Sequence, residues 1–192
     1  MAEVPYIPMI LGTVREGRRS LAVARFLDSR LALRKDLTYR FYDAKDLPFG
    51  NLVLREWEMK ERPEWMAAFV DDMARADGFI LVTPEYNGGV PGALKNLLDH
   101  LLKQWGNKPF GLVGCGGGGG GRRCLFALQG IITALNAVTL PTPLVVPEVE
   151  KQWGEDGPIQ GREEWEKRAD RFIANMVRYS LAMRAVRQGT RD

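Results

Sequence analysis

Short apolar runs alternate along the chain with longer stretches whose apolar positions recur every three or four residues. Tyr6 to Leu11 is apolar and stops at Gly12, the mark of a buried strand. From Ser20 onward, Val23, Phe26, Leu27 and Leu31 share one helical face, and Ser20 is placed to cap that helix. Thr38 to Tyr42 is rich in β-branched and aromatic residues and reads as a second strand. Asp43 to Arg62 shows no period. Pro63 suits the first position of a helix reaching about Ala76. Gly78 to Thr83 is continuously apolar, as a parallel strand covered on both faces must be. After a loop from Pro84 to Gly92, Ala93 to Gln104 places Leu94, Leu97, Leu98, Leu101 and Leu102 at helical spacing. Phe110 to Val113 predicts a fourth strand and Arg122 to Leu135 another helix. Val138 to Val146 predicts a last strand, at an edge because Pro141 and Pro143 interrupt it. Gly161 to Gln188 predicts a long final helix, with Trp165, Ala169, Phe172, Ile173, Met176 and Met183 on one face.

Strand and helix thus alternate five times, which implies an α/β fold around a parallel sheet. Right-handed crossovers put helices on both faces, and five strands suit the order 2-1-3-4-5. The length, 192 residues, fits one domain spanning 1–192. Ligands of such sheets bind beyond the carboxyl ends of the strands, near the point where strand order reverses. The loops after strands 1, 3 and 4 fall there.

The first of these loops runs from Gly12 to Ser20 and enters a helix, where backbone N–H groups and the helix dipole favour an anion. Thr13 and Ser20 carry hydroxyls for phosphate oxygens, and Arg15 and Arg18 carry guanidinium forks. A solvated basic loop is the plainer alternative, since the segment is neither a Walker loop nor a Gly-x-Gly-x-x-Gly fingerprint. The second loop, Thr83-Pro84-Glu85-Tyr86-Asn87-Gly88-Gly89-Val90-Pro91-Gly92, has a shape fixed by proline and glycine that admits a flat ligand. The third carries six consecutive glycines, Gly116 to Gly121, between a buried strand and a helix. A flexible linker does not belong at that place, whereas backbone approach to a ligand does.

Composition narrows the partners. Glycine, 21 of 192 residues, stands above the usual level of about 7%. A net charge of +3 is too small an excess to argue for nucleic acid. Cys115 and Cys124 form neither a disulfide framework nor a zinc set, and their spacing is unlike Cys-x-x-Cys. The N-terminus has no signal-peptide pattern, and no apolar run reaches the roughly 18 residues of a membrane span. A cytoplasmic protein without membrane partners is expected.

The segment from Ala76 through Thr83-Pro84-Glu85-Tyr86-Asn87 into Pro91-Gly92-Ala93-Leu94-Lys95-Asn96-Leu97-Leu98-Asp99 resembles the flavin-ring loop of the NADPH-dependent FMN reductase family. These are flavodoxin-like quinone, azo and chromate reductases with a three-layer sandwich fold. The first loop resembles the family's Gly-Ser-x-Arg-x-Gly-Arg variant, with Thr13 in place of serine, and Trp105 and Lys108-Pro109 also match. The resemblance covers about residues 6 to 146. It implies bound FMN, with Thr13, Arg15, Arg18 and Ser20 on the phosphate and Pro84, Glu85, Tyr86 and Asn87 along the isoalloxazine ring. Gly116, Gly117 and Gly120 would meet the pyrimidine edge. The third loop departs from the family in its pure glycine run and in Cys115, where tyrosine is common.

The resemblance further implies hydride transfer from NADPH or NADH to FMN, then reduction of a small-molecule acceptor such as a quinone, azo dye, metal oxyanion or free flavin. The flavin carries that chemistry, so no catalytic side chain is assigned. A homodimer or homotetramer is implied as well. The alternatives are a flavodoxin-like electron carrier, which +3 argues against, and a non-catalytic flavin- or anion-binding protein. His100, the only histidine, is expected on a helix surface or at a subunit contact, and the tryptophans in core or interface.

Overall fold

The computed structural model describes residues 3–189. Pro8 shortens the first strand to β1 (Met9–Leu11), though the chain already bridges Thr38 from Tyr6. β2 (Phe41–Asp43), β3 (Phe79–Pro84) and β4 (Pro109–Cys115) follow, all pairing in parallel. The order β2-β1-β3-β4-β5 is the one the alternation predicts. The last strand comes in two pieces. β5 (Val138–Thr139) pairs with the start of β4, and β6 (Leu144–Val146) with its end. Pro141 and Pro143 lie between them, where the missing N–H groups leave no ladder to form.

Side chains alternate across the sheet, so each face builds its own core. Met9, Leu11, Ile80, Val82 and Val113 point into one cluster with α1 (Ser20–Ala32) and the long α6 (Arg162–Gly189). Ile10, Phe79, Leu81, Phe110 and Leu112 point into the other, with α2 (Glu64–Arg75), α3 (Gly92–Asp99) and α4 (Arg122–Ala134). α6 approaches β4 so closely that a Cβ on Gly111 would lie 2.5 Å from the Met176 sulfur.

Two expectations are corrected, and one feature is new. α3 ends at Asp99, five residues before Gln104. Beyond it the chain turns to bury Trp105 fully against Phe79 and Phe110, and the indole N–H donates to the Leu98 carbonyl at 3.0 Å. His100 is not a surface residue: it is 4% exposed, packs on Phe49, and its Nδ1 lies 2.7 Å from the Asn96 carbonyl. After β6 an unpredicted short helix, α5 (Val149–Gln152), leads into a hairpin of β7 (Trp153–Gly154) and β8 (Gly157–Pro158). Trp153 anchors it, edge-on to Phe26 and Trp165.

Candidate active site

The three loops do meet at the carboxyl ends of β1, β3 and β4, and side chains join them. Gly12 must be glycine, because a Cβ there would stand 2.7 Å from Leu94 of α3. Thr13 is fully buried, and its hydroxyl lies 2.6 Å from the Tyr86 hydroxyl, tying the first loop to the second. Arg18 folds back, donating to the Thr13 carbonyl and pairing with Asp43 at the end of β2. It therefore braces the loop from inside. Arg15 is exposed at the mouth, and among the described residues its side chain has no ion-pair or hydrogen-bond partner.

Ser20 does not cap α1. Arg19 holds that position, in a helical conformation and without a side-chain cap. Ser20 is instead the first helical residue, 3% exposed, and its hydroxyl has no hydrogen-bond partner. A buried hydroxyl left unpaired is unfavourable by about 1–3 kcal/mol, and here it stands at a helix N-terminus, where an anion is favoured. A phosphate oxygen would complete it, so the residues present fit the phosphate end of FMN.

In the second loop, Asn87 and Gly88 both have positive φ, 51° and 80°, and Tyr86 and Gly89 exchange backbone hydrogen bonds of 3.1 and 2.9 Å. This is a type I′ turn on an Asn-Gly pair. Glu85 accepts from the Arg123 N–H at 3.0 Å, placing a negative charge at the start of α4, whose cap residue Gly121 has no side chain. Pro84 ends β3 in register with Cys115, so the second and third loops leave the sheet side by side.

The third loop divides into two kinds of glycine. Gly120 and Gly121 have positive φ, and a Cβ on Gly120 would come 2.5 Å from Val145. Gly114 and Gly116 are likewise closed in by backbone. A Cβ on Gly117, Gly118 or Gly119 would meet nothing within 4 Å. The N–H groups of Gly116 and Gly120 are bonded to the Val146 and Gly117 carbonyls, whereas among the described residues those of Gly117, Gly118 and Gly119 have no partner. A cavity of about 430 Å³ lies between Glu85, the six glycines and Arg122–Arg123. Exposed amide donors beside open space suit the acceptor edge of a flat heterocycle.

Neither thiol is set up for reactivity. Burial pushes Cys115 up to about 12 and Cys124 to about 11, so both stay protonated at neutral pH. Asp43 escaped notice in the sequence. Asp43 carried one usable signal, an acidic residue closing a strand at the ligand-binding end of the sheet.

The chain matches the family model for NADPH-dependent FMN reductases over residues 5–151. It is 34% identical over 143 residues to an NAD(P)H-dependent FMN reductase of Schizosaccharomyces pombe, covering 72% of this chain and 70% of that one. It is 28% identical over 175 residues to an FMN-dependent NADPH-azoreductase of Staphylococcus aureus, covering 89% and 93%. Its fold is similar to that of FerB, a flavoenzyme NAD(P)H:(acceptor) oxidoreductase of Paracoccus denitrificans, with a TM-score of 0.75 at 22% identity, over 94% of this chain and 99% of FerB. The loop geometry, the strand order and these likenesses agree, and the chain belongs to the NADPH-dependent FMN reductase family.

Proposed function

We propose that the protein is an FMN-dependent NAD(P)H oxidoreductase that reduces a small-molecule acceptor of the quinone, azo, metal-oxyanion or free-flavin class. The observation that carries this reading is the buried, unpartnered Ser20 hydroxyl at the start of α1, one loop away from the buried Thr13. Bound FMN would supply the redox chemistry between a nicotinamide donor and the acceptor.

The chain's part is binding and orientation. Thr13 and Ser20 hold the phosphate, with Arg15 closing over it from the mouth. Arg18, fixed by Asp43, keeps the loop in shape for that task. Pro84 to Asn87 flank the ring, and the Glu85 link to α4 holds this wall against the glycine loop. Gly117 offers a free N–H to the ring's polar edge, while Gly116 and Gly120 shape the turn around it. No side chain is required as acid or base.

The whole chain acts as one FMN-binding domain in this reading, working in the cytoplasm as a homodimer or homotetramer. Among the described residues no helix is long and apolar enough to cross a membrane. Val53, 85% exposed, with Leu54 and Trp57 gives apolar surface suited to a subunit contact.

Purified protein loaded with FMN is expected to lose its visible flavin absorbance on anaerobic addition of NADPH or NADH and regain it with a quinone. Protein that takes up no FMN would overturn the reading. Flavin that no nicotinamide bleaches would turn it toward an electron carrier.

A further inference from the structure

The segment between β2 and α2 and the end of α3 together enclose a cavity of about 650 Å³. Asn96 fixes this segment, its amide N–H donating to the Gly50 carbonyl at 2.7 Å and its amide oxygen accepting from the Leu52 N–H at 3.1 Å. The Glu56 N–H donates to the His100 carbonyl at 2.9 Å, and Glu56 pairs with Arg62 at 3.0 Å. The cavity is therefore built into the fold. Phe49, Met59, Trp65, Met66 and His100 line it, with Phe49 edge-on to Trp65 and tilted against the imidazole. Val53 and Leu54 also line it but are exposed, so the subunit contact proposed above meets its rim. None of its lining residues belongs to the three loops of the candidate active site.

Among the described lining residues His100 alone is both polar and more than nine-tenths buried. Its Nδ1 lies 2.7 Å from the Asn96 carbonyl, which can only accept, so Nδ1 carries a proton. In the neutral ring Nε2 is then an acceptor, and among the described residues it has no hydrogen-bond partner. Apolar ring faces around one fixed acceptor define the occupant. A second copy pressing apolar carbon onto Nε2 would leave it unpaired, which is unfavourable in such surroundings. A flat arene carrying a hydroxyl or amino group fills the space and donates to Nε2. Quinone carbonyls and azo nitrogens only accept, so they gain nothing from it. We propose that this cavity binds hydroxy- or amino-arenes through His100 Nε2, and so takes the reduced products of quinone and azo acceptors in preference to the acceptors. The link to products rests on the function proposed above; the binding itself does not.

Nitrogen-15 labelling of histidine in the untagged, FMN-loaded protein gives a single imidazole to follow, because the chain has one histidine. The probe is 2-naphthol, and the control is 2-methoxynaphthalene, which has the same ring without the donor. Naphthol is expected to shift the Nε2 resonance and leave Nδ1 nearly in place. It should bind about 2- to 12-fold tighter than the ether in calorimetric titration, the worth of one neutral hydrogen bond. In His100→Phe, which keeps a ring against Phe49, the two should bind alike. Met59→Trp, which narrows the cavity from the opposite segment, should weaken both together and serves should His100→Phe fail to fold. Equal affinities in the wild-type protein would overturn the proposal, as would no binding by either compound. Naphthol that perturbs the flavin absorbance while leaving the imidazole unmoved would overturn it too, since the ring then lies against the flavin. Titration of flavin-free protein keeps the two readings apart: the cavity binds naphthol there whether or not a nicotinamide bleaches the flavin.

Discussion

Ser20 and Arg15 divide the phosphate end of the site into a buried contact and an exposed one. Arg15→Ala should weaken FMN by about 10- to 150-fold, the worth of a hydrogen bond to a charged group. Riboflavin, without the phosphate, should be nearly indifferent, and fluorescence titration of both ligands reads the difference. Ser20→Ala should also weaken FMN, yet it should not lower the melting temperature of the flavin-free protein, because the hydroxyl it removes has no partner. A melting temperature that dropped would mean Ser20 serves the fold. Among the glycines, Gly120→Ala forces a Cβ into Val145 at positive φ and should destabilise by about 1–3 kcal/mol. Gly118→Ala meets open space and should be neutral or stabilising by up to about 1 kcal/mol in chemical unfolding. Any loss of flavin affinity in Gly118→Ala would then report a contact with the ring.

At the scale of elements, the far end of the sheet is held by buried charge. Lys108, just before β4, donates to the Met73 and Ala74 carbonyls at 2.8 and 2.7 Å and so closes the last turn of α2. Burial pushes its ammonium down to about 7, with Arg187 acting the same way and Asp77 opposing. The folded chain thus binds this proton less readily than the unfolded one. Stability should be lowest below pH 7 and rise between about pH 7 and 8.5, before the buried thiols titrate. Lys108→Met should flatten that rise in denaturant unfolding measured across the window, whatever it does to stability at one pH. The same scale shows where local pattern misleads. The leucines beyond Asp99 kept helical spacing, but Trp105 had a larger apolar surface to bury and turned the chain. The proline-broken edge strand, by contrast, was legible, because a missing N–H is a property of the residue itself.

The whole molecule closes through its last helix. Arg184 and Arg187, late in α6, both reach Asp77, which also accepts the Tyr6 N–H at 3.0 Å. Burial alone would raise the Asp77 carboxyl, but the Arg184 contact, the Tyr6 N–H and Arg187 outweigh it and hold it low. Its contribution to stability is therefore complete above the unfolded carboxylate range, near pH 4, and lost as pH falls through the lower folded value. Asp77→Asn leaves two arginines without a counter-charge and should destabilise by about 3 kcal/mol at neutral pH, with a smaller loss in strong acid. Equal losses at both pH values would mean the ion pairs are not what holds α6 in place.

Five strands, their parallel order and three ligand-type loops at one end were fixed by sequence, because apolar period, proline and glycine act within a few residues of where they stand. Tertiary structure alone decided which groups remained free. Arg18 met Asp43 across 25 positions and became a brace. Ser20 lost its capping role and kept a buried, unpaired hydroxyl. Six identical glycines separated into those the fold requires and those it leaves open. Each of these outcomes depends on what packs against a residue from a distant part of the chain, and a local pattern carries no record of that.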